Sequence, residues 1–185
     1  MKTIPSVIYM VLGCVISFAH AQQSEPAAIA SQSDTVAGMQ LFVELDRNIY
    51  SPADKIILEL VLTNTTDNAV IIKSDIHEIV YEINMNYVDD MRPAKRTQYG
   101  DYLIDRARMS SSKPMQVPGH GHIKQSIIIN RIYDMTLPGT YSIYVHRDIG
   151  LPNEGTTRSV KTGELSVVVY EKTGQTYNIK TSPSQ

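Results

Sequence analysis

The chain has 185 residues, 17 basic against 19 acidic side chains, a formal charge of −2 and a single cysteine. Such mild acidity argues against nucleic acid as a partner, since phosphate binding needs concentrated Lys and Arg. A hydrophobic content of 42%, spread over short segments, describes a globular chain.

The first segment, residues 1–21, reads as a secretory signal. Lys2 supplies a positive start, the run from Ile4 to Phe18 is almost continuously apolar, and Ala19-His20-Ala21 before Gln22 fits small-x-small cleavage. That run is short for a spanning helix, which needs about twenty residues. No comparable stretch follows, so no transmembrane segment is expected in the mature chain. Val11-Leu12-Gly13-Cys14 offers a lipoprotein alternative, but the residues after Cys14 stay apolar where a lipid-modified cysteine is usually followed by polar ones. Cleavage after Ala21 leaves about 164 residues, enough for one domain with its own core. It also removes the only cysteine, so packing must do what disulfides do in many secreted domains. The expected location is secreted or periplasmic.

Residues 22–38, small and polar without period, are expected to form a disordered leader. Strand signals follow. Met39 to Leu45 is the first. Lys55 to Thr63 places Ile56, Leu58, Leu60 and Leu62 on one face. Asn64-Thr65-Thr66-Asp67-Asn68 supplies turn chemistry, and Ala69 to Lys73 returns. Ile79 to Val88 alternates Tyr81, Ile83, Met85 and Tyr87 with polar residues, the mark of a half-buried strand. Ile123 to Asn130, Tyr141 to His146 and Glu164 to Glu171 complete about seven main strands. The pattern predicts an all-β fold, an immunoglobulin-like two-sheet antiparallel sandwich over residues 39–171, with a closed barrel as the alternative. Residues 172–185 are expected to be a flexible tail. A long mid-chain insertion, 89–118, breaks the even spacing; one or two irregular strands are expected around Thr97–Ile104.

The motifs are of the kind that build corners. In Tyr133-Asp134-Met135-Thr136-Leu137-Pro138-Gly139-Thr140-Tyr141, Pro138 fixes φ, Gly139 is free to adopt positive φ, and Tyr141 can pack its ring while its hydroxyl bonds backbone across the corner. This stretch, with the Leu45 to Asp54 segment ending in Ser51-Pro52-Ala53-Asp54, Leu62 to Asp67, Val117 to Gly119 and Arg158 to Tyr170, resembles a family of secreted bacterial immunoglobulin-like domains. The grammar is also similar to the non-catalytic β-domain of deuterolysin-like zinc proteases and to Bacillus-type intracellular proteinase inhibitor domains. With little chain after the sandwich, no protease domain is expected, and an export signal does not suit an intracellular inhibitor. The resemblance implies a fold; it carries over no catalytic or inhibitory residue.

Sequence chemistry is sparse. His77-Glu78-Ile79-Val80-Tyr81 misses the zinc-protease pattern because Tyr81 stands where the second histidine belongs. His120 and His122 are the one close histidine pair after the signal. On a strand they would point the same way and could hold a metal if a third ligand converged, but Gly119 and Gly121 favour a turn. No nucleophile elbow, phosphate loop or dinucleotide fingerprint occurs, and loop acids such as Asp89, Asp90, Asp101 and Asp105 usually just meet water. No cofactor and no catalytic residue is assigned. Asn64-Thr65-Thr66 matches a glycosylation sequon but reads as turn chemistry. Arg92, Lys95, Arg96, Tyr99, Tyr102, Arg106 and Arg108 give the insertion a basic and aromatic character, the residue types that gather at binding hot spots. The expectation is a non-catalytic binding or structural module whose partner is another protein, with a secreted protease inhibitor as the alternative and a metal-binding protein or enzyme behind both.

Overall fold

The computed structural model describes residues 27–75, 81–108, 112–151 and 155–170. The signal segment, the tail after Tyr170 and His77 to Val80 of the near-miss zinc motif lie outside the described residues.

Two sheets face each other. The first runs in the order β1 (Ile29–Gln32), β2 (Met39–Leu45), β4 (Ile57–Asn64), β8 (His122–Ile128), all antiparallel. The second is centred on the long strand β9 (Gly139–Leu151). One edge of β9 takes β6 (Glu82–Tyr87); the other takes β10 (Thr156–Lys161) and then β11 (Leu165–Val169). His146 pairs with both Glu82 and Lys161, and Ile143 with both Met85 and Leu165, so β10 and β11 are two parts of one edge. The break between them is stitched by Thr162, whose amide donates to the Val145 carbonyl and whose hydroxyl accepts from the Val145 amide. The short β3 (Ile49–Tyr50) closes this sheet by pairing parallel to β11. Lettered as immunoglobulin strands, β2–β4–β8 occupy A–B–E and β6–β9–β11 occupy C–F–G. The expected all-β sandwich is present, and a small third sheet of β5 (Val70–Asp75) and β7 (Ser112–Val117) accompanies it.

The core is where period-two alternation puts it. Leu41, Val43 and Leu45 of β2 and Leu58, Leu60 and Leu62 of β4 meet Tyr141, Ile143 and Val145 of β9 and Val167 and Val169 of β11, all buried. Arg147 belongs to the same inward row and is only 2% exposed. Its guanidinium lies 5.1 Å from the Tyr81 ring, and one terminal nitrogen donates to the Tyr81 hydroxyl at 3.3 Å. Its Nε and other terminal nitrogen have no partner.

Two segments depart from the sequence reading. The leader expected to be disordered over 22–38 contains β1, and its described part is tied to the sandwich. Ser33 exchanges bonds with Leu41, its amide donating to the carbonyl and its hydroxyl accepting from the amide, both 2.8 Å. Val36 and Met39 then close a two-residue hairpin in which Ala37 (φ 51°) and Gly38 (φ 74°) both have positive φ, the geometry whose twist suits a β-hairpin. The second departure is in the insertion. Where irregular strands were expected around Thr97–Ile104, the chain forms α1 (Gln98–Arg108), and a single turn, α2 (Ile129–Ile132), follows β8.

The motif residues hold corners. Asp54 accepts from the Ser51 amide at 2.9 Å and pairs with Arg47 at 3.2 Å, while Asn130 donates to the Asp54 carbonyl at 2.7 Å. Tyr133 donates to the Ile83 carbonyl. Asp134 accepts from both the amide and hydroxyl of Thr136, which holds its carboxyl below the usual aspartate range.

Candidate binding surface

Helix α1 starts on a cap. Thr97 accepts from the Gly100 amide at 3.0 Å, satisfying one of the orphan donors of the first turn. Asp101 lies in that turn, where the helix dipole favours an acid. The helix then lies against α2. A Cβ on Gly100 would stand 2.3 Å from the Ile132 carbonyl oxygen, so only glycine permits this approach. The Thr97 amide donates to the same carbonyl at 2.9 Å, and Leu103 is buried beneath the helix.

This docking sorts the seven basic and aromatic residues singled out from sequence. Tyr99, Tyr102 and Arg106 are three and four residues apart and share one face of α1. Tyr99 is half-buried with the Arg131 guanidinium 4.5 Å over its ring, while Tyr102 is 55% exposed and Arg106 is exposed. Arg108 ends the helix. Arg92 is elsewhere, in the turn after β6; it lies 4.9 Å over the Tyr87 ring and pairs with Asp90 at 3.4 Å. Lys95 and Arg96 run alongside Tyr133 and Asp134: the Lys95 carbonyl accepts from the Asp134 amide, and Arg96 bridges to Tyr133. Burial pushes the Tyr133 hydroxyl above its usual range against the lowering influence of Arg96. The structure therefore gathers Tyr99, Tyr102 and Arg106 and separates them from Arg92. Arg131 joins them and was not singled out, because nothing in its local sequence shows that α2 carries it beneath α1.

The histidine pair sits in a turn. The Gly121 amide donates to the Pro118 carbonyl at 2.9 Å, and His120 takes positive φ (55°). Its ring nitrogen lies 2.9 Å from an Asp67 carboxylate oxygen. His122 begins β8, exposed and opposite Thr63. Among the described residues no three His, Cys, Asp or Glu side chains converge as a metal site would require.

At the Pro138-Gly139 corner, Tyr141 is buried and its hydroxyl donates to the Leu137 carbonyl at 2.7 Å while sharing a 2.7 Å bond with the Tyr87 hydroxyl. The rings meet with centroids 4.5 Å apart. Burial first, then the Tyr87 hydrogen bond and the Asp134 charge, raise the Tyr141 hydroxyl far above the ordinary tyrosine range, so it stays a neutral donor. Gly139 has φ 155°, with only the Tyr87 ring near the position of an added Cβ. These residues are structural: Tyr141→Phe is expected to cost about 1–2 kcal/mol by leaving the Leu137 carbonyl without its donor, measurable in urea unfolding as a lower midpoint at unchanged slope.

The geometry defines an all-β sandwich domain whose most distinctive exposed feature is a helix docked beside the end of β8. The chain matches no family model and no curated protein. Among the described residues no helix is long and apolar enough to cross a membrane.

Proposed function

We propose that this chain is an exported, non-catalytic module that binds another protein through the outer face of α1. The observation that carries the reading is the wedge at Gly100. A mid-chain insertion in which glycine is required to seat a helix on α2 presents Tyr102 and Arg106 from a docked helix, on the same face as the Tyr99–Arg131 stack. A helix already fixed in place needs no ordering of its backbone on binding. Tyrosine offers a large contact area at a small rotamer cost, and tyrosine and arginine are the anchors that dominate protein interfaces. Export rests on the signal-like first 21 residues, and the absence of catalysis on the lack of any recognisable nucleophile, phosphate or metal motif in the sequence.

The test is capture of the partner from the native envelope or culture medium with the wild-type chain and with the double variant Tyr102→Ala, Arg106→Glu. Both positions are exposed, so the variant is expected to fold normally while binding falls at least about tenfold. Equal capture by both chains would remove α1 as the interface. Titration against a panel of secreted proteases distinguishes the inhibitor reading, which requires slowed turnover.

A further inference from the structure

Strand β8 is a long open edge. It pairs with β4 without interruption from His122↔Thr63 to Ile128↔Ile57. The Asn64 amide donates to the Gly121 carbonyl and the Ile129 amide to the Ile56 carbonyl, so the odd-numbered residues of β8 are those bonded to β4. The amide and carbonyl groups of His122, Lys124, Ser126 and Ile128 point the other way, and among the described residues no strand pairs with them. Of the other edges of the two main sheets, β10 (six residues) carries Arg158 and Lys161, and the rest are short or covered. β1 has four residues and β3 two, and β6 is covered by bonds between Tyr87 and Arg92 and between Met85 and Ala94. Proteins usually blunt an edge of β8's length with proline, a bulge or several charges. This strand has seven residues, no proline, an unbroken register and a single lysine.

We propose that β8 pairs antiparallel with β8 of a second copy, about a two-fold axis through Gln125, joining two four-stranded sheets into one of eight. The side chains select both occupant and register. Centred on Gln125, every outward-pointing residue faces another: His122 meets Ile128, and Lys124 meets Ser126, of the second copy. Half-buried Ile123 then faces Ile127, an apolar cross-strand pair on the core side. Ser126 donates to the Glu59 carboxylate at 2.7 Å on the neighbouring strand, so each Lys124 arrives one strand away from a carboxylate of the other copy. A two-fold through Lys124 would set the two lysines directly face to face, which is unfavourable, whereas the Gln125 axis leaves them diagonal to each other. A two-fold through Ser126 shortens the overlap. An offset of one residue sets outward groups against side edges that are already bonded. The interface is isologous: one patch complementary to itself.

Sedimentation velocity on the purified chain, its N-terminus as the cell leaves it, tests this from about 1 µM to about 1 mM, the range expected of a small interface. The expected result is a reversible monomer–dimer equilibrium. Lys124→Glu should raise the dimer dissociation constant about tenfold or more by bringing acids together, and adding Glu59→Lys to it should restore association. Ser126→Pro removes an outward amide that β4 does not use; it should leave the thermal transition close to wild type and give monomer. A chain that is monomeric throughout the range, as expected if the edge is completed by a strand from a different protein, overturns the proposal. So does a dimer that folded Lys124→Glu and Ser126→Pro variants leave intact.

Discussion

Asn64→Asp is expected to lose about 3–5 kcal/mol of stability at neutral pH, the scale of an uncompensated buried charge, and to recover part of it in acid. Asn64 is completely buried at the end of β4. The two hydrogens of its amide nitrogen are shared among three carbonyls, those of Asn68 (2.8 Å), Val117 (3.1 Å) and Pro118 (2.9 Å). Its oxygen accepts from the amide and hydroxyl of Thr66, at 3.0 and 2.8 Å. One side chain thus ties the turn after β4 to the end of β7. An aspartate would turn a carboxylate oxygen toward three carbonyl oxygens, with no donor among them. The folded state then favours the protonated acid, so the folded pKa is raised above the unfolded value of about 4. The stability of the protonated form is fully present below that unfolded value and is lost as pH rises through the folded one. Urea unfolding at a series of pH values, with the wild type measured alongside, reads this directly. A variant whose deficit is the same at pH 3 and pH 8 would show that the carboxyl finds other partners. Asn64→Ala, without the charge, should cost about 2–4 kcal/mol at all pH values, because the buried Val117 carbonyl and Thr66 amide lose their partners. The same geometry bears on the sequon: an amide nitrogen that is buried and enclosed by three carbonyls cannot accept a glycan in the folded chain.

Much of the sandwich was legible in the sequence because burial follows a two-residue period that composition displays openly. The inward residues of β2, β4, β6 and β11 are those alternation selects. β9 was legible only in its first half. Arg147 breaks the apolar row after Val145, so the strand reads as ending near His146, while its backbone continues to Leu151 opposite β10. β1 was missed for the opposite reason: Ile29-Ala30-Ser31-Gln32 is an outer strand with little apolar surface, fixed by its ladder with β2 rather than by hydrophobic pattern. Its hairpin turn is Ala37-Gly38, lacking the Asn-Gly or Asp-Gly pair that marks such a turn.

Helix α1 was hidden by its own composition. Gln98-Tyr99-Gly100-Asp101-Tyr102-Leu103-Ile104 is rich in residues of modest helix propensity, with a glycine in the first turn. Tertiary contact reverses that preference. The glycine is required by the Ile132 carbonyl, and the Thr97 cap, Arg131 and Leu103 pin the rest. Thr97 was the available signal, but Gly100 stands at the third position, where a capping box would carry Glu or Gln. The insertion's binding character was legible as composition. Which residues share a face was not, since that depends on α2, some thirty residues further along the chain.

Leu60→Ala is expected to cost about 2–5 kcal/mol, through lost burial and the cavity left between the sheets. Leu60 is in the middle of β4, flanked by Val43 on β2 and Gln125 on β8, with no solvent exposure. Its neighbours on the same face, Leu58 and Leu62, are equally buried, so the site has little room to collapse from either side along the strand. With the only cysteine at position 14, no disulfide within residues 27–170 can restrict the unfolded chain and soften the loss. Ile57 provides the control. It lies three residues away on the opposite face of the same strand and is 38% exposed, so Ile57→Ala should change stability by about 1 kcal/mol or less. Chemical unfolding of both variants at constant slope compares the two faces of one strand in one protein. If the two losses were equal, the inward face of β4 would not be the one described, and since a one-residue slip reverses every side chain of a strand, the register against β2 and β8 would fall with it. The same slip would move the outward groups of β8 inward, so this measurement also bears on the edge at which a second copy is proposed to pair.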